Sequence, residues 1–476
     1  MKRLLLIFTI LLTLGFAGCE DFLVEDPLLS QSTELTLSDY RGLNNAVAGA
    51  YAPLAAGAWY GSFFVLDAEM RAGNATIPTN TDFTSGRMMV PFSMSYSSTT
   101  TSGLWGLAYY VTSAANNVIN NLEGKDVGDV TQQDLNNLEA EALFLRALSH
   151  FDMVRLYGHS YAKNPSGMGV PIVLVTDATA EEMPPRNTVE DVYEQIITDL
   201  LRAEQIIDPD YVRGGVSASK AVATLPAIQA LLSRAYLYTQ QWQEAADYAT
   251  KVIEDYDFVL WTEAQLPNVW GRDVAGPGGE IIFEVFANHS NSYDVWWESP
   301  AHMTNPIGYA DCAAHEDLTS FYEAGDVRGD LFRTDPDNVS GSLWTTKFPG
   351  KGLGDAVSTP DANNMTVLRL SEMYLNRAEA IHNGAVVAGA TALGDINAIA
   401  TNRGLAAYGS VGADRIFDER RKELAFEGHL WFDYARTNRA SLRSDLPLAA
   451  DDNRWALPIP QRELDVNDNL IQNEGF

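Results

Sequence analysis

Glu419, Glu423 and Glu427 recur at four-residue steps, so a helix through them carries three carboxylates on one face. Left alone such a row repels itself. Arg420, Arg421 or other cations must neutralise it, and the pattern reads as a structural ion network. Metal and acid–base chemistry find nothing firmer. His315-Glu316 has no second histidine at the spacing of a zinc-hydrolase helix. Asp335 and Asp337 begin like a calcium loop, but the fifth position is Val339 and the glycine is displaced to Gly341, so the segment reads as a turn. Sequence gives no separation between any two carboxylates, so no glycosidase pair is argued. The expectation is a protein that is not an enzyme, with no catalytic residue, cofactor or metal centre.

Charge narrows the partners. The chain has 32 basic and 63 acidic residues, a net charge of −31, which argues against nucleic acid. Anionic polysaccharide would be repelled unless a local basic patch intervened, so neutral ligands are expected. The first residues address the chain elsewhere. Lys2 and Arg3, an apolar run from Leu4 to Leu14 and the small residues Gly15, Ala17 and Gly18 read as an export signal over 1–18, too short to span a bilayer. The Ala17-Gly18-Cys19 junction resembles the bacterial lipobox, with Phe16 where an aliphatic residue usually stands. That resemblance implies a diacylglycerol on the Cys19 thiol and an acylated new N-terminus. Each buried methylene contributes about 0.8 kcal/mol, so two or three chains hold the protein on a membrane. Residues 19–35 follow as an acidic, lipidated tether. Cys312 then has no intramolecular partner, and the core rather than disulfides must hold the fold. No second apolar stretch approaches membrane-spanning length.

The elements beyond the tether are helical. Phe144, Leu148, Phe151 and Val154 mark one face of a helix over Asn136 to Tyr157, ended by Gly158. Thr188 and Asp191 form an acidic capping box ahead of Val189, Val192, Ile196, Ile197, Leu200 and Leu201. Pro226 suits a first turn, and Leu232, Ser233, Tyr236, Trp242, Ala245, Ala249 and Val252 fall at tetratricopeptide offsets, with Ser233 in place of the usual glycine. Leu368 to His382 and Ala390 to Asn402 read as another helix pair joined through Gly384 and Gly389, and Glu419 to Asp433 as a further helix. A single pair cannot bury its apolar face, so about four pairs should stack. The expected fold is all-α: a tetratricopeptide-like helix-pair superhelix with long irregular loop insertions. Those insertions are Trp59 to Leu104 and Trp261 to Asp361, where Gly, Asn, Ser and aromatics replace helical periodicity.

Five segments then match one family in order. Glu141-Ala142-Leu143-Phe144-Leu145-Arg146-Ala147, continuing to Phe151-Asp152-Met153-Val154-Arg155-Leu156-Tyr157-Gly158, resembles a helix signature of the SusD/RagB lipoproteins of Bacteroidetes-type bacteria. So do Leu368 to Ala380, Glu419 to Asp433, the closing Leu457-Pro458-Ile459-Pro460 through Asn469, Gln472, Asn473 and Gly475, and the start Cys19-Glu20-Asp21-Phe22-Leu23. Asn402-Arg403-Gly404-Leu405 keeps only part of the family's Asn-x-x-Arg pattern. The resemblance implies an outer-membrane lipoprotein, lipid-anchored and exposed at the cell surface, with an N-terminal region over 36–225 and a C-terminal region over 226–476 forming one unit. It implies a SusC-like TonB-dependent barrel as partner, docked through repeat helices. It also implies capture of glycans or other nutrients, with starch, another glycan, a glycopeptide or a peptide all compatible. The ligand site would be built from irregular loops.

Aromatic platforms serve the family's sugar binders because the C–H face of a sugar is apolar while its hydroxyls suit Asn, Asp and Arg. The candidates are Trp296, Trp297, Tyr293, Tyr309, Asn291, Asp294 and Trp344 in the second insertion and Trp59 and Tyr60 in the first, with Phe83, Tyr96, Phe321 and Tyr322 as further aromatics. Neighbours on an extended strand face opposite ways, so at most one of Trp296 and Trp297 would be buried. Trp105, Trp242 and Trp431 are read as packing. The competing reading is a tetratricopeptide scaffold lipoprotein with no ligand site of its own. Burial of every candidate aromatic would favour it, and solvent-facing aromatics would favour nutrient binding.

Overall fold

The computed structural model describes residues 36–78, 85–122, 130–176, 183–214, 219–270, 279–287, 298–335, 341–350 and 362–476, apart from 442 and 444. Helices α1 (Tyr40–Tyr51), α2 (Phe63–Ala72), α3 (Ser102–Ile119), α4 (Gln132–Tyr157) and α5 (Val189–Ile206) precede the repeat pair, which forms as α6 (Leu225–Tyr238) and α7 (Trp242–Glu254). Helices α8 (Leu370–His382), α9 (Ala392–Asn402), α10 (Ala413–Glu423) and α11 (Leu430–Arg436) follow. The predicted capping box starts α5, and a second one, Thr131 with Asp134, starts α4 four residues earlier than its apolar period suggests. Pro226 lies in the first turn of α6.

α4 is the hub. It packs against α1, α3, α5 and α6, and is buried on all sides along most of its length. Its polar side chains are therefore paired internally: Glu141 accepts from Tyr51, Tyr211 and Arg213, and the Arg146 fork meets Asp199 at 2.6 and 2.8 Å. From α4 the helices pack in succession through α5, α6, α7 and α8 to α9. Ser233, at the small-residue position, donates its hydroxyl to the Ala245 carbonyl at 3.0 Å and so ties α6 to α7. Ahead of α4 the succession continues through α3 to α1, so the described helices stack as four pairs, α1/α3, α4/α5, α6/α7 and α8/α9, and α10 packs back on α8.

The insertions are less irregular than their composition suggests. They contain strands β1 (Ala75–Thr76), β2 (Ile281–Val285), β3 (Ala313–Ala314), β4 (Phe332–Thr334) and β5 (Leu343–Thr345), and β6 (Met365–Arg369) follows the second. One sheet runs β1-β3-β5-β4, and β2 pairs antiparallel with β6. β6 takes Leu368 and Arg369, so the helix expected from Leu368 begins at Leu370. The first insertion holds α2, which shows no apolar period because it is buried nearly all round.

The helix expected over Glu419 to Asp433 is broken. Phe426 and Gly428 take φ of 63° and 78°, in the left-handed region. The cause is α2: the Gly428 N–H donates to Glu69 at 2.7 Å, and a Cβ on Gly428 would stand 3.2 Å from the Val65 Cα. Glu427 thus leaves the face of Glu419 and Glu423, yet the three still join one network. Arg328 reaches Asp326, Glu419 and Glu423; Arg369 reaches Glu280, Glu423 and Glu427; Arg403 reaches Glu280 and Glu423; Lys347 reaches Glu427. The neutralising cations come from elsewhere in the chain, while Arg420 serves Asp433 and Arg421 donates to Asn74.

Candidate functional site

Cys19, Phe83, Asn291, Tyr293, Asp294, Trp296 and Trp297 lie outside the described residues. Three other candidates are core. Trp59 is fully buried, its indole N–H donating to Asp152 at 2.7 Å, and Tyr60 is buried between Trp59 and Phe64. Trp344 on β5 is fully buried against Ala310 and Ala313 and donates to the Ala310 carbonyl at 3.1 Å. Loop-like sequence hid the helix and sheet that these rings pack, so none of the three offers a platform to solvent. Trp105 and Trp431 are buried as expected, and Trp242 packs partly buried against the core while also lining a cavity of about 210 Å³ at the turn between α6 and α7.

Tyr309 remains accessible in part. The Arg87 guanidinium lies 4.2 Å from its ring centroid, and His302 meets it edge-on at 4.7 Å. Arg87 also donates to Glu298 at 3.1 Å.

Beneath Arg87 lies a cavity of about 260 Å³. Helix α2 supplies Phe63, Asp67 and Arg71 to its wall, at the four-residue spacing that shares a helix face. The short helix Met89–Ser93 adds Val90 and Pro91, and Tyr96 and the first turn of α3 close it. Gly103 permits that closure: a Cβ there would stand 2.8 Å from the Ala58 Cβ. Tyr96 offers its hydroxyl to Asp67 at 3.4 Å, and the Arg71 guanidinium lies 4.6 Å from the Trp431 ring centroid and 5.4 Å from that of Tyr96. Burial pushes the Asp67 carboxyl up to about 7 against the opposing pull of Arg71 and Tyr96.

Aromatic walls, two guanidinium groups and a carboxyl that favours its neutral form suit binding of a small polar ring. Of these residues only Tyr96 stood out in the sequence. Asp67 and Arg71 left one trace, a charged pair four residues apart inside an otherwise apolar stretch. Among the described residues no cluster of three His, Cys, Asp or Glu side chains could hold a metal ion, and no helix is long and apolar enough to cross a membrane.

The helical stack has known relatives. Residues 21–237 match a family described as starch-binding and associating with the outer membrane, and residues 333–476 match the SusD family. The chain belongs to the SusD/RagB family. It is 26% identical to a SusD-like protein of Formosa agariphila over 99% of both chains. Among solved structures it resembles a SusD superfamily protein of Bacteroides thetaiotaomicron (TM-score 0.81, 28% identity, 91% of this chain and 99% of that one). It also resembles a candidate sugar-binding protein of Bacteroides vulgatus (TM-score 0.82, 26% identity, 92% and 99%).

Proposed function

We propose that this protein is a glycan-binding lipoprotein of the outer cell surface, held by lipid on Cys19, that delivers its ligand to a SusC-like TonB-dependent barrel. The observation that carries the reading is the cavity under Arg87, where Phe63 and Tyr96 suit the apolar face of a sugar and Asp67, Arg71 and Arg87 suit its polar groups. Trp296 or Trp297, with Tyr293, Tyr309, Asn291 and Asp294, is the proposed stacking platform. The chain's role is binding, not turnover. Burial of Trp59, Tyr60 and Trp344 is what the scaffold reading requires, but Tyr96 and Tyr309 remain partly open.

Native gel electrophoresis through immobilised starch, laminarin and polygalacturonate tests the reading. Retardation by at least one polysaccharide is expected, with Trp296→Ala or Trp297→Ala weakening it about tenfold, since a stacked aromatic contributes about 1–2 kcal/mol. Free migration in a broad glycan panel would favour the scaffold reading. Co-purification of a barrel protein after gentle detergent extraction tests the partnership.

A further inference from the structure

Buried arginines in this protein face carboxylates. Arg146 forks onto Asp199, Arg234 onto Glu372 and Arg436 onto Glu379, and the arginines of the ion network share several acids. Arg71 differs. It is 1% exposed, and among the described residues it is the buried arginine with no carboxylate within ion-pair distance. Its hydrogen bond to protein runs from Nε to the Asp67 carbonyl at 3.2 Å. Nη1 is enclosed and meets no acceptor. Trp431 and Tyr96 stack near the guanidinium, but a ring face does not replace the directed acceptors that a planar fork of N–H groups demands. Burying such a charge unpaired is costly, and a ligand that brings the missing partner removes the cost.

We infer that the cavity beside Arg71 takes the carboxylate of an acidic sugar, a uronic acid residue at the end or on a branch of a glycan. This rests on the glycan-binding reading above and adds the charge class of the ligand. The guanidinium fork matches a carboxylate with two parallel hydrogen bonds, a geometry that a single sugar hydroxyl cannot satisfy. Asp67 Oδ1 is likewise enclosed without a partner. Burial raises that carboxyl to about 7, so the protonated form of Asp67, populated at and below neutral pH, donates a hydrogen bond to the ligand. Arg87 at the lip adds a second positive group, the local basic patch that an acidic ligand needs on a chain of net charge −31. The volume of about 260 Å³ falls below the ~300–1,000 Å³ of sites for drug-sized ligands, so one ring enters and not a chain.

Calorimetry on the full-length protein with trigalacturonate, maltotriose and N-acetylglycine tests this. Trigalacturonate should bind at least tenfold more tightly than the neutral trisaccharide or the sugar-free carboxylate. Arg71→Met should abolish the preference. Val90→Trp, which narrows the mouth without touching Arg71, should weaken trigalacturonate binding tenfold or more and covers the case in which the Arg71 variant fails to fold. Equal binding of maltotriose and trigalacturonate, or full retention of trigalacturonate binding in both folded variants, overturns the inference and leaves the glycan-binding reading standing. N-acetylglycine matching trigalacturonate overturns the sugar assignment in favour of a peptide-type carboxylate. Failure of every acidic and neutral saccharide tried removes the glycan-binding reading itself.

Discussion

Replacing Asp67 by Asn should make the protein more stable at alkaline pH and change little in acid. In the native state burial holds the Asp67 carboxyl near 7, while in the unfolded chain it returns to 3.8. Between those values the native state keeps a proton that the unfolded chain has released, so native stability falls as pH rises. One carboxyl with these two constants costs the fold about 2 kcal/mol at pH 5 and about 4 kcal/mol at pH 8, the full difference being present above 7 and gone below 3.8. Asn keeps the acceptor for Tyr96 and never ionises. Urea unfolding of both proteins should therefore show the variant gaining about 1–3 kcal/mol relative to wild type between pH 5 and pH 8, with unchanged m-values. A stability difference that stays flat across that range would refute the reasoning, because it would mean that the carboxyl ionises as freely in the fold as outside it.

Arg403→Met should destabilise the protein by about 3–5 kcal/mol at pH 7 in urea unfolding, because Glu280 and Glu423 each lose a buried partner at 2.7 Å. Burial alone would raise the Glu423 carboxyl, but Arg403 and Arg369 hold it well below the ordinary range, so acid should weaken the wild-type network as pH falls through that depressed value. Trp59→Phe strands a buried Asp152 oxygen and should cost about 1–3 kcal/mol of stability while leaving polysaccharide retardation unchanged; lost binding in a fully stable variant would return Trp59 to the ligand site. Cys19→Ala should release the protein from the membrane fraction, and mass spectrometry of the native protein should find acyl chains on Cys19.

The repeat pair was legible because α7 keeps an apolar stripe against a polar one, because the pair's small and aromatic residues fall at repeat offsets, and because Pro226, Thr188 and Asp191 act on their nearest neighbours. Local signals of this kind survive in a string of letters. So did the family, since its signature helices combine core positions with buried arginines and acids in a fixed order. α2 was not legible. A helix enclosed on nearly every side has no polar face to make a period, so Phe63–Ala72 read as part of a loop. Two further surprises follow from its position. Gly428 breaks the helix expected at Glu419 to Asp433 because α2 passes too close for a Cβ, and Trp59, just ahead of α2, is driven into the core. The same holds for the site. Nothing in the sequence distinguishes Trp344, sealed against Ala310, from Tyr309, part-open beneath Arg87, since burial is set by what the rest of the chain places nearby. Periodicity determined the class of scaffold, and the resemblance of its signature segments pointed to the family. Which aromatic faces solvent, and that Arg71 alone among the described buried arginines lacks a carboxylate, was decided only when α2, α3 and α11 came together in space.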